Sequence, residues 1–181
     1  YCNIDSSDFT FCRVGGGFVS SIFETNIEHS SITNSNLDFA VNSAMVNNYG
    51  GFVRHIRSNS SVSSSFIQNC NLQFDDDAAG FAYILDEGST LEECFVDNSN
   101  LSQNTASSLS GFIDRISNTG SNIVSNCFIK ADVNVQENFN GFARALNGGS
   151  LLETSYSDIN INIVGTGNNT YRFVENDSGT I

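Results

Sequence analysis

The sequence predicts an all-β fold, a parallel β-helix or β-solenoid of about six coils of ~30 residues with three short strands per coil. Three observations predict it. First, an eleven-residue block recurs as Ile27 to Leu37 (IEHSSITNSNL), Val62 to Leu72 (VSSSFIQNCNL) and Leu91 to Leu101 (LEECFVDNSNL), with looser copies at Val124 to Val135 and Leu152 to Ile161. Second, a Gly-Phe pair keeps the same period at Gly17, Gly51, Gly80, Gly111 and Gly141, and Tyr171-Arg172-Phe173 is a degenerate sixth copy. Third, short runs rich in Phe, Val and Ile are bounded by Gly, Ser, Asn and Asp, and nothing holds a helical period. Winding one chain about an axis supplies, within each coil, the return path that parallel strands need.

The repeat makes residues 1–181 a single quasi-one-dimensional body. Residues 1–16 read as the second part of a coil. Coils follow at 17–50, 51–79, 80–110, 111–140 and 141–170, and 171–181 opens another. In each coil the first stretch is Gly-Phe plus Val, Ala or Ile, closed by Ile22, Ile56, Leu85, Ile116 or Leu146. The second is the eleven-residue block. The third is an alternating tail, clearest in Asp132-Val133-Asn134-Val135 and Asn160-Ile161-Asn162-Ile163.

Charge narrows the partners. Net charge is −13 with seven Lys and Arg, which repels phosphate backbones, so neither nucleic acid nor an anionic membrane surface is an expected partner. No apolar run approaches the ~18 residues of a membrane-spanning helix, and Tyr1 opens no signal peptide, so the chain reads as a mature or trimmed soluble piece. Fifteen Phe and regularly spaced aliphatics supply a core that a disordered Ser/Asn/Gly-rich segment lacks.

Strand parity assigns faces within the central block. Ser65, Ile67 and Asn69, with Cys94, Val96, Asn98 and Cys127, Ile129, Ala131, suit the core. Phe66, Gln68, Cys70, with Phe95, Asp97, Ser99 and Phe128, Lys130, Asp132, suit solvent. Asn34, Asn69 and Asn98 then stack as an amide ladder at an inner corner, or serve as ordinary turn asparagines. Phe66, Phe95, Phe128 and Tyr156 form an aromatic stripe on the outer face. The stripe either packs on itself or offers a patch to a lateral partner or to sugar rings. Asp97, Lys130, Asp158 and Asp114, Arg144, Glu175 alternate in sign as expected surface ion ladders.

Five cysteines are too few for a disulfide scaffold, and the absence of a CxxC pair argues against zinc. Cys94 and Cys127 hold the same position in successive copies, so they form either a disulfide or two buried small residues. Cys2 and Cys12 are a second candidate pair. No enzyme, cofactor or metal site is expected. Glu28, Glu92 and Glu153 fall in alternate copies, ~9.6 Å apart along the axis, rather than gathering. His29 and His55 occupy unrelated repeat positions. The run Asp75-Asp76-Asp77 lies in neither an EF-hand nor a calcium nonapeptide repeat, and Thr is too sparse for an ice-binding array.

The segment Gly141-Phe142-Ala143-Arg144 through Asn147-Gly148-Gly149-Ser150-Leu151 to Tyr156 resembles the GLUG repeat of surface-exposed, adhesin-like proteins, as do Ser125-Asn126-Cys127-Phe128 and Glu92-Glu93-Cys94-Phe95. The resemblance implies an extracellular or cell-surface β-solenoid used as stalk, adhesin or coat, without catalytic residues.

Ser178-Gly179-Thr180-Ile181 matches Gly88-Ser89-Thr90-Leu91, and Tyr1-Cys2-Asn3-Ile4 continues such a block, so the two partial coils sum to one. The expected function is a structural extracellular repeat protein that joins itself head to tail as a filament or surface coat. An adhesin or glycan-binding module using the aromatic stripe is the alternative, and a polysaccharide-active β-helix enzyme the remote one. Asn59, Asn100, Asn168 and Asn176 begin N-glycosylation acceptors.

Overall fold

A computed structural model of the chain describes residues 2–11, 15–40, 48–105, 107–164, 170–171 and 173–177. They form a β-solenoid in which every strand pairs in parallel with its counterpart one coil away. Each full coil carries four or five short strand segments rather than the expected three. In the second full coil these are Tyr49–Gly50, Val53–Arg57, Ser61–Ser63, Phe66–Gln68 and Asn71–Phe74. Stacked, they make four sheets of six, six, five and nine strands.

The extra breaks come from residues with left-handed backbone, which divide the eleven-residue block twice. His29, Ser64, Glu93, Asn126 and Thr154 form one corner column, with φ between 46° and 54°. Asn34, Asn69 and Asn98 form the next, with φ of 51°, 55° and 47°. Asn tolerates this region better than most residues. Because a left-handed residue interrupts strand alternation, the parity expected beyond it is reversed: Asn69 and Asn98 are exposed, while Cys70 and Ser99 are buried. The asparagines do stack, Asn98 Nδ2 donating to Asn69 Oδ1 at 2.7 Å and Asn34 Nδ2 to Asp5 Oδ1 at 2.8 Å, on the outside of the corner.

The residue after each corner explains why Ser or Cys recurs there. Ser30 Oγ donates to the Glu28 carbonyl at 3.1 Å and Ser65 Oγ to the Ser63 carbonyl at 2.8 Å. Ser65 Oγ also accepts from the Ser30 N–H of the coil below at 3.1 Å. One small hydroxyl thus satisfies two backbone groups that the bend withdraws from the ladder.

The core is a set of aligned columns. Phe18, Phe52, Phe81, Phe112, Phe142 and Phe173 stack face to face with centroids 4.7 to 5.1 Å apart. Leu37, Leu72, Leu101 and Val133 make a second, fully buried column. The glycine preceding each Phe is obligatory for space, because a Cβ on Gly51 or Gly80 would collide with the glycine carbonyl of the next coil. That contact accounts for the Gly-Phe repeat. In the last two coils the asparagine corner is missing. Phe128–Val135 and Tyr156–Ile163 therefore run straight, and Asn98 bulges between Asp97 and Ser99 where the register shifts.

Candidate functional site

The expected stripe is present: Phe66, Phe95, Phe128 and Tyr156 stand in register on the outer face. Their centroids are 4.7, 4.8 and 5.1 Å apart and their planes within 4° of parallel. Phe66, Phe95 and Phe128 are half-buried and Tyr156 is 55% exposed. This arrangement limits what the stripe can bind. Each inner ring has both faces covered by its neighbours, so along its length the stripe presents ring edges to solvent. A sugar stacks on a ring face, and open faces occur only where the column ends.

At one end, the position below Phe66 holds Ser31, and the position below that holds Asn3. A hollow of about 500 Å³ lies there, lined by Cys2, Asn3, His29, Ser31, Ser64 and Phe66. The column positions of Ser31 and Asn3 were readable from the repeat alignment, but their meaning depended on knowing that the rings stack face to face. A second hollow of about 380 Å³ sits beside the Asn98 bulge, where Lys130, Asp132 and Asp158 face Asn98, Asn100 and Asn160. Asp97, Lys130 and Asp158 succeed one another in register there, and Asp97 accepts from Gln68 Nε2 at 2.9 Å.

The other expected ladder is not a surface feature. Asp114 is fully buried, and Arg144 clasps it bidentately, Nε to Oδ1 and Nη2 to Oδ2, both at 2.7 Å. Ser110 Oγ adds a bond at 3.3 Å. Burial pushes the Asp114 carboxyl up from its ordinary value while Arg144 pulls it down. The hydrogen bond to Asp114 pushes the Arg144 guanidinium further up. Tyr83 occupies the preceding coil's position in the same column, 2% exposed, and burial followed by the charge of Asp114 raises its phenol. The side chain of Glu175, the third expected member, lies outside the described residues.

Of the two roles expected for Cys94 and Cys127, the structure has the buried small residues and not the disulfide. Cys94 and Cys127 are both free thiols, buried at the same corner of successive coils. They take the place of the corner serines: Cys94 Sγ donates to the Glu92 carbonyl at 3.3 Å and Cys127 Sγ to the Ser125 carbonyl at 3.2 Å. Each thiol thus bonds the carbonyl two residues before it, as a corner serine does. Burial, then the neighbouring Cys127, pushes the Cys94 thiol well up, which withholds the thiolate that reactivity needs. Cys2 is free and exposed, and Cys12 lies outside the described residues.

The acidic candidates are dispersed or already engaged. Glu28, Ser63, Glu92, Ser125 and Glu153 form one column with acids on alternate coils. In the acidic run, Asp75 accepts from Asn104 Nδ2 at 2.9 Å, Asp76 from the Asp77 N–H at 2.8 Å, and Asp77 from the Ser108 N–H at 2.9 Å. Among the described residues no three His, Cys, Asp or Glu side chains gather to hold a metal. His29 lies at an exposed corner on the outer side, and His55 is half-buried in Val53–Arg57. Of the glycosylation acceptors, Asn59 is an exposed left-handed turn residue. Asn100 is exposed on a strand, its amide donating to Asn71 Oδ1 at 2.7 Å. Asn168 and the side chain of Asn176 lie outside the described residues.

No family model matches the chain, and no curated protein or solved structure matches it either.

Proposed function

We propose that this chain is a structural, noncatalytic β-solenoid of the cell exterior whose copies add end to end into a filament or surface coat. One observation carries the reading. The large exposed apolar side chains Phe9, Phe23, Tyr156, Ile161, Ile163 and Val164 all lie on the first or last described coils. Phe9 (37% exposed) and Ile161 (42% exposed) are members of the same column as Leu37, Leu72, Leu101 and Val133, which are buried. Among the described residues they are the first and last members of that column. The terminal strands of each described sheet likewise have one pairing partner, and an open strand edge is a template for another chain. A second copy placed in register sets its Phe9 on Ile161, continuing both the column and the sheets. The Ser- and Asn-rich surface, the glycosylation acceptors and the likeness to GLUG repeats support the exterior location.

Sedimentation and electron microscopy of the purified chain test this. Mass should rise with concentration and rods should lengthen, and Phe9→Asp or Ile161→Asp should hold the protein as single folded rods. A wild-type chain that stays one rod at every concentration overturns the reading. A lateral binder, by contrast, would lose its ligand on Phe95→Ser or Phe128→Ser while remaining monomeric.

A further inference from the structure

We propose that the hollow beneath Phe66 is a binding slot for a single uncharged pyranose ring of a glycan, stacked on the open face of Phe66 as the next ring of the aromatic column. The column defines the position. Three ring-to-ring steps of 4.7, 4.8 and 5.1 Å with nearly parallel planes fix where a further ring would lie. In the two coils below, that place falls to Ser31 and Asn3, whose side chains are too short to cover the ring. The space left is about 500 Å³, within the range of small-ligand sites.

The surroundings select the kind of ring. A pyranose has a face of C–H groups and a rim of hydroxyls. The slot has one apolar wall, Phe66, and a polar surround of Asn3, His29, Ser31 and Ser64. Ser31 Oγ donates to Asn3 Oδ1 at 2.6 Å, and Ser64 Oγ to Glu93 Oε2 at 2.9 Å, so both serine oxygens retain lone pairs for hydroxyl donors. The Asn3 amide supplies N–H donors. An apolar platform with a few convergent polar groups is the usual composition of a small-ligand site. The net charge of −13 disfavours acidic sugars and nucleotides. The slot does not require end-to-end assembly, since Asn3, Ser31 and Phe66 belong to one chain.

The test is a titration of the ¹³C-Phe-labelled chain with the methyl glycosides of glucose, galactose, mannose and N-acetylglucosamine, each to about 10 mM, because one ring contact gives a Kd on the order of 1 mM. Saturable shifts of the Phe66 ring resonances are expected with at least one glycoside. Ser31→Phe supplies the missing ring from within the chain and should abolish those shifts while leaving the circular dichroism unchanged. Phe66→Leu, which removes the platform, should abolish saturation transfer from the protein to the glycoside. The proposal is overturned if no glycoside shifts Phe66, if the shifts survive Ser31→Phe, if saturation transfer survives Phe66→Leu, or if indole binds the slot and none of the glycosides does.

Discussion

Removing Arg144 and removing Asp114 should have unequal effects, because the pair is buried unequally. Asp114 is 0% exposed, whereas the Arg144 side chain is 27% exposed. Arg144→Ala leaves a carboxylate in the interior with Ser110 as its remaining donor. Stranding one member of a buried ion pair costs about 3–5 kcal/mol. Asp114→Asn keeps an acceptor for one guanidinium N–H, and Arg144 can turn its head group to water, so its cost should be about 1–2 kcal/mol. Replacing both, Asp114→Leu with Arg144→Met, should recover most of the loss. The pH dependence has a defined sign. The Asp114 carboxyl is already raised by burial, and losing Arg144 raises it further. In the variant, therefore, the folded state retains a proton that the unfolded state has released above about pH 4. Stability falls as pH rises through that window and returns on acidification. Urea unfolding followed by circular dichroism at pH 4.5 and pH 8 measures this, fluorescence being limited because the chain has no Trp. An Arg144→Ala deficit below about 1 kcal/mol, or one equal at both pH values, would refute the argument from burial.

Other expectations follow from single features. His55 is held below its ordinary pKa by burial and then by Arg57 and Arg54, so the folded state resists protonation and stability should fall as pH drops through about 6.5; His55→Gln should flatten the pH 5–7 slope in thermal melts. Ser65→Ala should cost about 1–3 kcal/mol, since it orphans the buried Ser30 N–H, whereas Ser65→Cys, which keeps the bond to the Ser63 carbonyl as Cys94 bonds that of Glu92, should cost less by urea titration. In-register joining of two copies continues the Asp97, Lys130, Asp158 column with Asp5, acid against acid. Assembly should therefore strengthen as salt is raised beyond about 0.1 M, and sedimentation showing the opposite trend would count against that register. In a glycosylating host, peptide mapping should find Asn59 occupied ahead of Asn100, whose amide is held by Asn71.

The repeat made the architecture legible because a solenoid places equal sequence positions one above another. Both the Phe52-Phe81-Phe112 stack and the Phe66-Phe95-Phe128 stripe could be read by alignment alone. Corners were harder to read. An Asn in a left-handed conformation has the same letter as an Asn in a strand, so the parity count ran through Asn69 and Asn98 without turning. It placed Cys70 and Ser99 on the wrong face. The fourth copy, with no such residue between Lys130 and Asp132, was assigned correctly. Asp114 was misplaced for a related reason. Its charge suggests surface, but Ser110, across the Gly111-Phe112 bend, and Arg144 of the next coil both bond the buried Asp114 carboxylate.

The same stacking logic separates the two uses of the surface. Along the columns the rings stack and the strand backbones pair with the rung above and the rung below, so these rings and backbone groups of an inner coil have little left with which to recognise anything else. Recognition is confined to places where a column stops or a register shifts. Those places are the exposed Ile161, the open face of Phe66 above Ser31, and the bulge at Asn98. The proposed end-to-end contact would add one more rung to the outermost described strands. A gap in a lateral column calls for a ring-shaped ligand, because the backbone there is already paired and only a side chain is missing. Ser31→Phe and Ile161→Asp act on these two deficits separately. If either substitution abolished both assembly and sugar binding, the deficits would not be independent and the division of the surface drawn from the columns would fail.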